Sequence, residues 1–430
     1  MKRIFLYIVV ASVAFASCKK DKSVFSETPD ERVTKLLNSY LDTIAGASYG
    51  WKGFIYPGGL NGGAVVFYFK FNKSNRVQMF SDFDSLSNVT MKESSYRLRA
   101  LQKPVLVFDT YSYVSVLADP DAAANGGQYG IGLTSDFEFE IDSVTPDSVK
   151  LTGRLHSTKA YLVKASKQEM DDYYNQKHSN RAFDNIAKYL VYFKRFTLSG
   201  ITYEVLADVP GRTVIITWVD GNGTHRFVTS YYYSISGITF FTPLVNGSTI
   251  INGFDNITWN GSILSLTVNG VSQTLAPFGR PLANAVNEAV RWKNLPLSDG
   301  GVWISQQGFH VNGVDDALGI RTVSNFYYMS YEPGGGVNYD ILGIYQVINN
   351  ALNLNYAPGY LPVSTFADGR TVFNFSRNLG TISQADSLII DKTRLQMNAG
   401  TGYYFVQIDS STYDMVNSPD GKAWIRWYYN

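Results

Sequence analysis

The chain has 430 residues, a length that predicts two or three domains and a large buried core. It carries 37 Lys and Arg against 36 Asp and Glu, so its formal charge is close to zero and argues against nucleic acid as a partner. Only 17% of residues are charged, whereas 15% are aromatic, and the chain contains 37 glycine residues. This composition is typical of an extracytoplasmic β-protein.

The first 17 residues have the pattern of a secretory signal peptide. Lys2 and Arg3 precede an apolar run, 4–16, that is shorter than the roughly 20 residues needed to span a bilayer. Phe15-Ala16-Ser17-Cys18 resembles the lipobox of bacterial lipoproteins, which prefers Leu where Phe15 stands. The resemblance implies cleavage before Cys18 and acylation of its sulfur with palmitate-type chains, which would anchor the protein to a membrane. An ordinary cleaved signal with an incidental cysteine is the alternative.

Residues 18–27 are then the lipidated cysteine and a flexible tether. Cys18 is the single cysteine, so no disulfide framework or thiolate metal site is expected. The four histidines lack the spacing of a helical zinc site.

Residues 28–196 are predicted to form the first domain, a helix followed by a β-meander and further helices. Thr28-Pro29-Asp30-Glu31 is a helix start with a capping box, and Gly46 is the expected end. Short strand signals then run from Tyr49 to Ala165. This pattern favours either a barrel, of which a lipocalin-like barrel is one form, or a sandwich. Tyr113–Leu117 is among the predicted strands. A second capping box, 166–169, opens the closing helices, which extend to Phe193.

The remainder is predicted to form a β-rich region over 197–279 and a short helix plus β-rich region over 280–430. Asp220-Gly221-Asn222-Gly223 predicts a hairpin turn, and Pro281–Trp292 is the expected helix. The fold class is therefore mainly β with a few helices.

Four carboxylates alternate with apolar residues along one predicted strand, Asp136-Phe137-Glu138-Phe139-Glu140-Ile141-Asp142. Alternation on a strand places all four carboxylates on one face. Asp136 and Glu138 are candidate calcium ligands, and a carboxylate pair for acid–base chemistry is a second interpretation. A solvated sheet face is the third. No other cofactor is expected.

Four aromatic residues are candidates for stacking against a ligand: Trp51, Tyr111, Tyr113 and Tyr232. In Tyr231-Tyr232-Tyr233 the middle ring points away from its neighbours, so one side of this triplet is expected to be exposed. We find no Gly-x-Ser-x-Gly elbow and no His-Glu-x-x-His motif, and the glycine-rich runs do not lead into helices. No catalytic residue is predicted.

Several N-terminal segments resemble an uncharacterised lipoprotein family of unknown function that is encoded beside SusC/SusD-type nutrient uptake pairs. The segments are Gly50-Trp51-Lys52-Gly53, Val77-Gln78-Met79-Phe80-Ser81-Asp82, Ser95-Tyr96-Arg97-Leu98, Leu106-Val107-Phe108-Asp109-Thr110-Tyr111 and Asp136-Phe137-Glu138-Phe139. The resemblance covers about residues 18–170. It implies an outer-membrane location and an accessory role, and it supplies no catalytic residues.

The leading hypothesis is a membrane-anchored, non-enzymatic binding protein, on the cell surface or the periplasmic side, that helps to capture a glycan or peptide nutrient. SusC/SusD-like uptake proteins are then the expected partners. A carboxylate-based glycan hydrolase and a structural or adhesive surface protein are the alternatives.

Overall fold

The computed structural model describes residues 27–60, 62–127, 130–283, 286–418 and 420–430. These residues form a mainly β structure of three barrel-like sheets that follow one another along the chain. The expected fold class is therefore confirmed. The predicted signal peptide and Cys18 lie outside the described residues. None of the helices in the described part is both long and apolar enough to span a bilayer.

Helix α1 (Pro29–Ala45) begins and ends where the sequence predicts. The Thr28 hydroxyl accepts a hydrogen bond from the Glu31 N–H (3.3 Å), and the Glu31 carboxylate accepts one from the Thr28 N–H (2.8 Å). The Gly46 N–H closes the last turn on the Asp42 carbonyl. Only the second half of the apolar stripe packs on the first sheet, through Ile44 and its neighbours.

Barrel one is a closed ring of eight antiparallel strands in sequence order. Its strands are β1 (Trp51–Tyr56), β2 (Val65–Phe71), β3 (Arg76–Ser81), β4 (Lys92–Ala100), β5 (Pro104–Phe108), β6 (Glu138–Val144), β7 (Ser148–Gly153) and β8 (Lys159–Lys164). Strand β1 pairs with both β2 and β8, which leaves no free edge. Helices α2 (Tyr113–Leu117) and α3 (Ala122–Asn125) separate β5 from β6, and α4 (Lys167–Tyr174) follows β8.

The predicted strand at Tyr113–Leu117 is wrong, because this segment is helix α2. Val114 and Leu117 are spaced at i, i+3 and are both buried, whereas strand alternation would place them on opposite faces. Ser112, with extended backbone, stands at the N-cap. A five-residue apolar run does not distinguish a helical turn from a strand until its packing is known.

Barrel two is built from a nine-stranded sheet. Its strands are β9 (Phe193–Leu198), β10 (Ile201–Asp208), β11 (Thr213–Asp220), β12 (Gly223–Tyr233), β13 (Ile238–Asn246), β14 (Thr249–Trp259), β15 (Leu264–Val268), β16 (Val271–Thr274) and β17 (Ala276–Phe278). Only Leu275 separates β16 from β17, yet β16 pairs with β15 and β17 pairs with β9. The segment 271–278 therefore joins the two edges of the sheet. The predicted hairpin is confirmed, since Asp220 pairs with Gly223.

Barrel three follows helix α5 (Val286–Asp299). Its strands are β18 (Trp303–Ser305), β19 (His310–Val311), β20 (Phe326–Gly336), β21 (Tyr339–Ile348), β22 (Ala351–Thr365), β23 (Thr371–Gly380), β24 (Tyr403–Gln407), β25 (Thr412–Asn417) and β26 (Ala423–Tyr429). Strand β18 pairs with both β20 and β26, so eight of these strands close a ring and β19 adds to β26. Helix α6 (Gln384–Met397) separates β23 from β24.

Two predicted helices have different bounds in the structure. The helix expected to reach Phe193 is a 3-10 helix over Ala182–Lys188, and Phe193 already begins β9. The helix expected over Pro281–Trp292 is α5, which extends to Asp299 and contains Pro296. Helical spacing alone therefore misplaces the ends of both helices.

A buried ion pair joins barrel one to barrel two. The Arg212 guanidinium donates to the Asp82 carboxylate at 2.7 Å, and the two side chains are 5% and 2% exposed. The same carboxylate accepts hydrogen bonds from the N–H groups of Val66 (2.7 Å) and Tyr233 (3.2 Å). Arg212 also donates to the Ala64 carbonyl. The side chain of Asp82 therefore holds strands of both barrels at one point.

We predict that Asp82→Ala lowers the free energy of unfolding by about 3–5 kcal/mol, because it leaves the Arg212 guanidinium buried and unpaired. Asp42→Ala is the matched control, since its partner Lys73 is 68% exposed and exposed ion pairs contribute about 0–1 kcal/mol. Denaturant unfolding of both variants, of Arg212→Met and of the double variant Asp82→Ala/Arg212→Met measures the coupling. Equal effects of Asp82→Ala and Asp42→Ala would contradict the assignment.

Candidate ligand-binding groove

A groove of about 330 Å³ lies between barrels one and two, and we call it the Lys52 groove. Strand β1, helix α4 and the turn after α4 form one wall, and strands β12 to β14 form the other. The lining residues are Lys52, Glu169, Asp172, Tyr173, His178, Tyr232, Tyr233, Ser234, Ile235, Ser236, Thr239 and Asp255.

Tyr232 presents its ring to the Lys52 groove. Its neighbours Tyr231 and Tyr233 are 0% and 3% exposed, whereas Tyr232 is half-buried, so the predicted alternation of this triplet is confirmed. The rings of Phe54 and Phe241 contact the Tyr232 ring, with centroids 5.7 and 5.1 Å away. The Phe54 and Phe241 rings also contact each other, with centroids 5.8 Å apart, so this cluster of three rings fixes the orientation of Tyr232 before any ligand arrives.

Lys52 reaches the groove because successive side chains of β1 point alternately into the core of barrel one and towards barrel two. Trp51 and its alternate neighbours are buried, and Lys52 lies on the opposite face. The Lys52 ammonium lies 4.8 Å from the centre of the Tyr232 ring and 3.8 Å from the Glu169 carboxylate. The groove thus combines a cation, an aromatic face and a carboxylate.

The three carboxylates of the groove each accept a hydrogen bond. Glu169 accepts from the Ser166 N–H (2.9 Å) and completes the predicted capping box of α4. Asp172 is buried and accepts from Gln168 and Lys177 at 2.7 and 2.9 Å. Asp255, on the other wall, accepts from the Ser236 hydroxyl at 2.8 Å.

His178 stacks on Tyr173 with ring centres 4.0 Å apart and planes 12° from parallel. Burial lowers the pKa of His178 to about 4, and the nearby Lys52 ammonium acts in the same direction. The imidazole is therefore neutral at physiological pH, so Lys52 supplies the positive charge of this wall.

Comparison with known families identifies the N-terminal part of the chain. The sequence profile of a domain of unknown function, DUF4302, matches residues 21–261. The chain belongs to the DUF4302 family. The match spans barrel one and most of barrel two, and it includes both walls of the Lys52 groove. No curated protein matches the chain.

Two similar solved structures are crystal structures of the DNA polymerase III subunit beta DnaN sliding clamp from Bartonella birtlesii, one of them bound to griselimycin. Identities are 9% and 8%, with 91% and 92% of this chain and 97% of each clamp chain covered. The TM-scores are 0.14 and 0.15, so this similarity supports no inference about fold or function.

The four aromatic candidates of this DUF4302 chain occupy three different places. Tyr232 lines the Lys52 groove. Trp51 is 0% exposed and its indole N–H donates to the Ile44 carbonyl (2.8 Å), so it is a core residue. Tyr111 and Tyr113 flank Lys92, whose ammonium is 5.5 and 5.4 Å from their ring centres, and neither lines the groove.

The acidic strand is shorter than predicted, since β6 begins at Glu138 and Asp136 precedes it. Asp136 is buried and accepts backbone hydrogen bonds from Leu155 (2.7 Å), His156 and Thr158. Glu138 pairs with Arg154 at 2.7 Å. In the part of the chain that the structure describes, no three His, Cys, Asp or Glu side chains are grouped closely enough to hold a metal. The calcium hypothesis stays a prediction.

Sequence reasoning missed Lys52, Glu169 and His178 as groove residues. They lie on a strand, a helix and a turn that are far apart in the chain. The alternation of β1 predicts that Lys52 faces away from the core, but no sequence pattern says that barrel two covers that face.

We predict that His178 makes the fold sensitive to acid. Its pKa is about 4 in the native state and about 6.5 when unfolded, so the unfolded chain takes up the proton first and stability falls as the pH drops from 6.5 towards 4. His178→Phe keeps a ring on Tyr173 and removes this contribution, which is about 2–3 kcal/mol at its largest.

Denaturant unfolding at about pH 7 and about pH 4 measures the difference between wild type and variant. His156→Phe is the control, because His156 is exposed. An identical acid response in wild type and His178→Phe would show that burial does not hold this imidazole neutral.

Proposed function

We propose that this chain is a lipid-anchored, non-enzymatic binding protein of the outer membrane that captures glycan or peptide fragments for a SusC/SusD-type uptake system. The observation that supports this best is the Lys52 groove. It presents a fixed tyrosine ring beside an ammonium group and a carboxylate in a space of about 330 Å³. Sites for small molecules typically measure about 300–1,000 Å³.

The lining suits a ligand that carries many hydroxyl or amide groups. The ring of Tyr232 offers an apolar face for a sugar ring or a side chain, and the neighbouring Lys52 and Glu169 offer a donor and an acceptor. Hydroxyl groups of Ser234, Ser236 and Thr239 line the opposite wall. Such a set recognises polar, uncharged fragments through directional hydrogen bonds.

Binding is better supported than hydrolysis by the carboxylates of the groove. A hydrolase of the carboxylate type needs one acid and one base that face each other across the scissile bond. Glu169 and Asp172 lie on the same helix, and Asp172 is engaged by Lys177 and Gln168. Asp255 on the other wall is exposed and bonded to Ser236.

Glycan and peptide arrays probed with the chain from residue 19 onward test this proposal. We expect a positive signal, and Tyr232→Ala is expected to weaken the affinity for the positive ligand about fivefold, because one stacked ring contributes about 1 kcal/mol. Lys52→Met should weaken it further for ligands that accept hydrogen bonds.

Tyr327→Ala is the matched control, since Tyr327 is a 50% exposed tyrosine of barrel three. Silence across both arrays would count against a nutrient-binding role. A positive ligand whose affinity does not change in Tyr232→Ala would place the binding site elsewhere.

The proposed anchor has its own test. Metabolic labelling with a fatty-acid probe should mark the wild-type chain, and Cys18→Ala should abolish the label and release the protein from the membrane fraction. Ser17→Ala keeps a small residue before the cysteine and should retain the label. An unlabelled wild type, or a Cys18→Ala variant that stays on the membrane, contradicts lipidation.

A further inference from the structure

A second space, of about 220 Å³, lies between barrels two and three, and we call it the Lys194 cavity. Barrel two and the segment before it contribute an apolar wall that includes Ile186, Leu206 and Ile215. Barrel three contributes Trp424 and Arg426. None of these residues lines the Lys52 groove.

Lys194 is a buried residue that lines this cavity. The residue is 8% exposed, and in the described part of the chain its ammonium has no hydrogen-bond or ion-pair acceptor. Its neighbours are the rings of Tyr189 and Tyr192, with centres 5.5 and 5.6 Å away. A buried charge without an acceptor is costly, so an acceptor supplied from outside would be strongly favoured.

The nearby carboxylates are already engaged by other donors. Asp414 accepts from the Tyr192 hydroxyl at 2.7 Å and from Arg426 at 2.8 and 2.9 Å. The Arg426 guanidinium also lies 3.3 Å from the carboxylate of Asp208, another residue that lines the cavity. Glu204 accepts from Arg195 and from the backbone of Leu282, both at 2.9 Å. Among the described residues, the Lys194 ammonium therefore has aromatic and charged neighbours but no direct hydrogen-bond acceptor.

A second unmet polar group lies close by on barrel three. The Nε2 atom of His310 is buried and has no hydrogen-bond partner among the described residues. The His310 ring packs on Trp424, with centres 5.0 Å apart, and Trp424 lines the cavity. Burial lowers the pKa of His310, and Lys194 acts in the same direction. The Lys194 ammonium and the His310 imidazole are therefore close enough to interact electrostatically.

We propose that the Lys194 cavity binds a small organic carboxylate. The carboxylate accepts the hydrogen bonds of the Lys194 ammonium, and the apolar wall and the Trp424 ring hold the body of the molecule. The volume of about 220 Å³ is sufficient for a small molecule. This site does not depend on the Lys52 groove or on the proposed role in glycan or peptide capture.

Calorimetry of the chain from residue 19 onward tests the proposal with two probes of the same shape, benzoate and benzamide. We expect benzoate to bind and benzamide to bind at least about tenfold more weakly, since only the anion pairs with the ammonium. Lys194→Met keeps the apolar stem and should weaken benzoate binding at least about tenfold. Lys150→Met, at an exposed lysine on β7, should leave it unchanged.

The pH dependence gives an independent readout. Burial lowers the pKa of Lys194 to about 8, while Glu204 and Asp414 act in the opposite direction. Benzoate affinity should therefore fall as the pH rises from about 8 to about 10. Glu204, whose pKa burial raises to about 7, is ionised throughout this range, and burial raises the pKa of Tyr192 well above it. Asp208 and Asp414 also line the cavity. Although burial opposes it, the Asp414 carboxylate holds the pKa of Arg426 well above its ordinary value, and burial lowers the pKa of His310.

His310→Phe is the second variant, because it keeps a ring on Trp424 and removes Nε2. We expect it to weaken benzoate binding less than Lys194→Met does, because His310 does not itself line the cavity, with near-ultraviolet circular dichroism confirming the fold of each variant. Equal affinity for benzoate and benzamide, or benzoate binding that is unchanged in Lys194→Met, would overturn the proposal. Absence of benzoate binding to the folded wild type would also overturn it.

Discussion

The buried pair of Asp82 and Arg212 is the contact on which the arrangement of the first two barrels depends. Asp82 follows β3 of barrel one, and its carboxylate accepts the N–H of Tyr233 in barrel two. Tyr232 is the adjacent residue, so the ion pair also sets where the ring of the Lys52 groove lies. Arg181 donates to the Asp82 carbonyl at 2.6 Å and ties the segment after α4 to the same point. Both walls of the groove are thus positioned by one buried residue.

Barrels one and three are built on the same plan. Each begins with a helix, α1 or α5, and a first strand whose tryptophan donates its indole N–H to a helix carbonyl. Trp51 donates to Ile44, and Trp303 donates to Trp292, each at 2.8 Å. In each ring, helical residues separate the fifth strand from the sixth. Barrel two has only a short turn at that place, between β13 and β14.

The interiors of all three barrels are filled with side chains, so we expect ligand-binding sites where two barrels meet.

Local signals in the sequence predicted the elements whose stability is local. The capping boxes at Thr28 and Ser166 and the hairpin turn at Asp220 all appear as expected, because each is satisfied by neighbours within a few residues. Tyr113–Leu117 and the helix expected up to Phe193 were wrong, since their apolar residues pack on distant strands. The sequence pattern places Asp136 on an acidic strand face, but in the structure its carboxylate is buried and accepts hydrogen bonds from the N–H groups of a loop about twenty residues further along the chain.

The candidate sites show the same division. Tyr232 was predicted from its triplet, because alternation along one strand is a local property. Lys52, His178, Lys194 and His310 were not, since each becomes notable only through residues that other strands bring to it. The amino-acid sequence by itself determined a mainly β chain with aromatic cores, its capped helices and its turns. The tertiary structure alone decided which outward-facing side chains are covered, because burial, and with it the cost of an unpaired charge, exists only once the barrels are packed together.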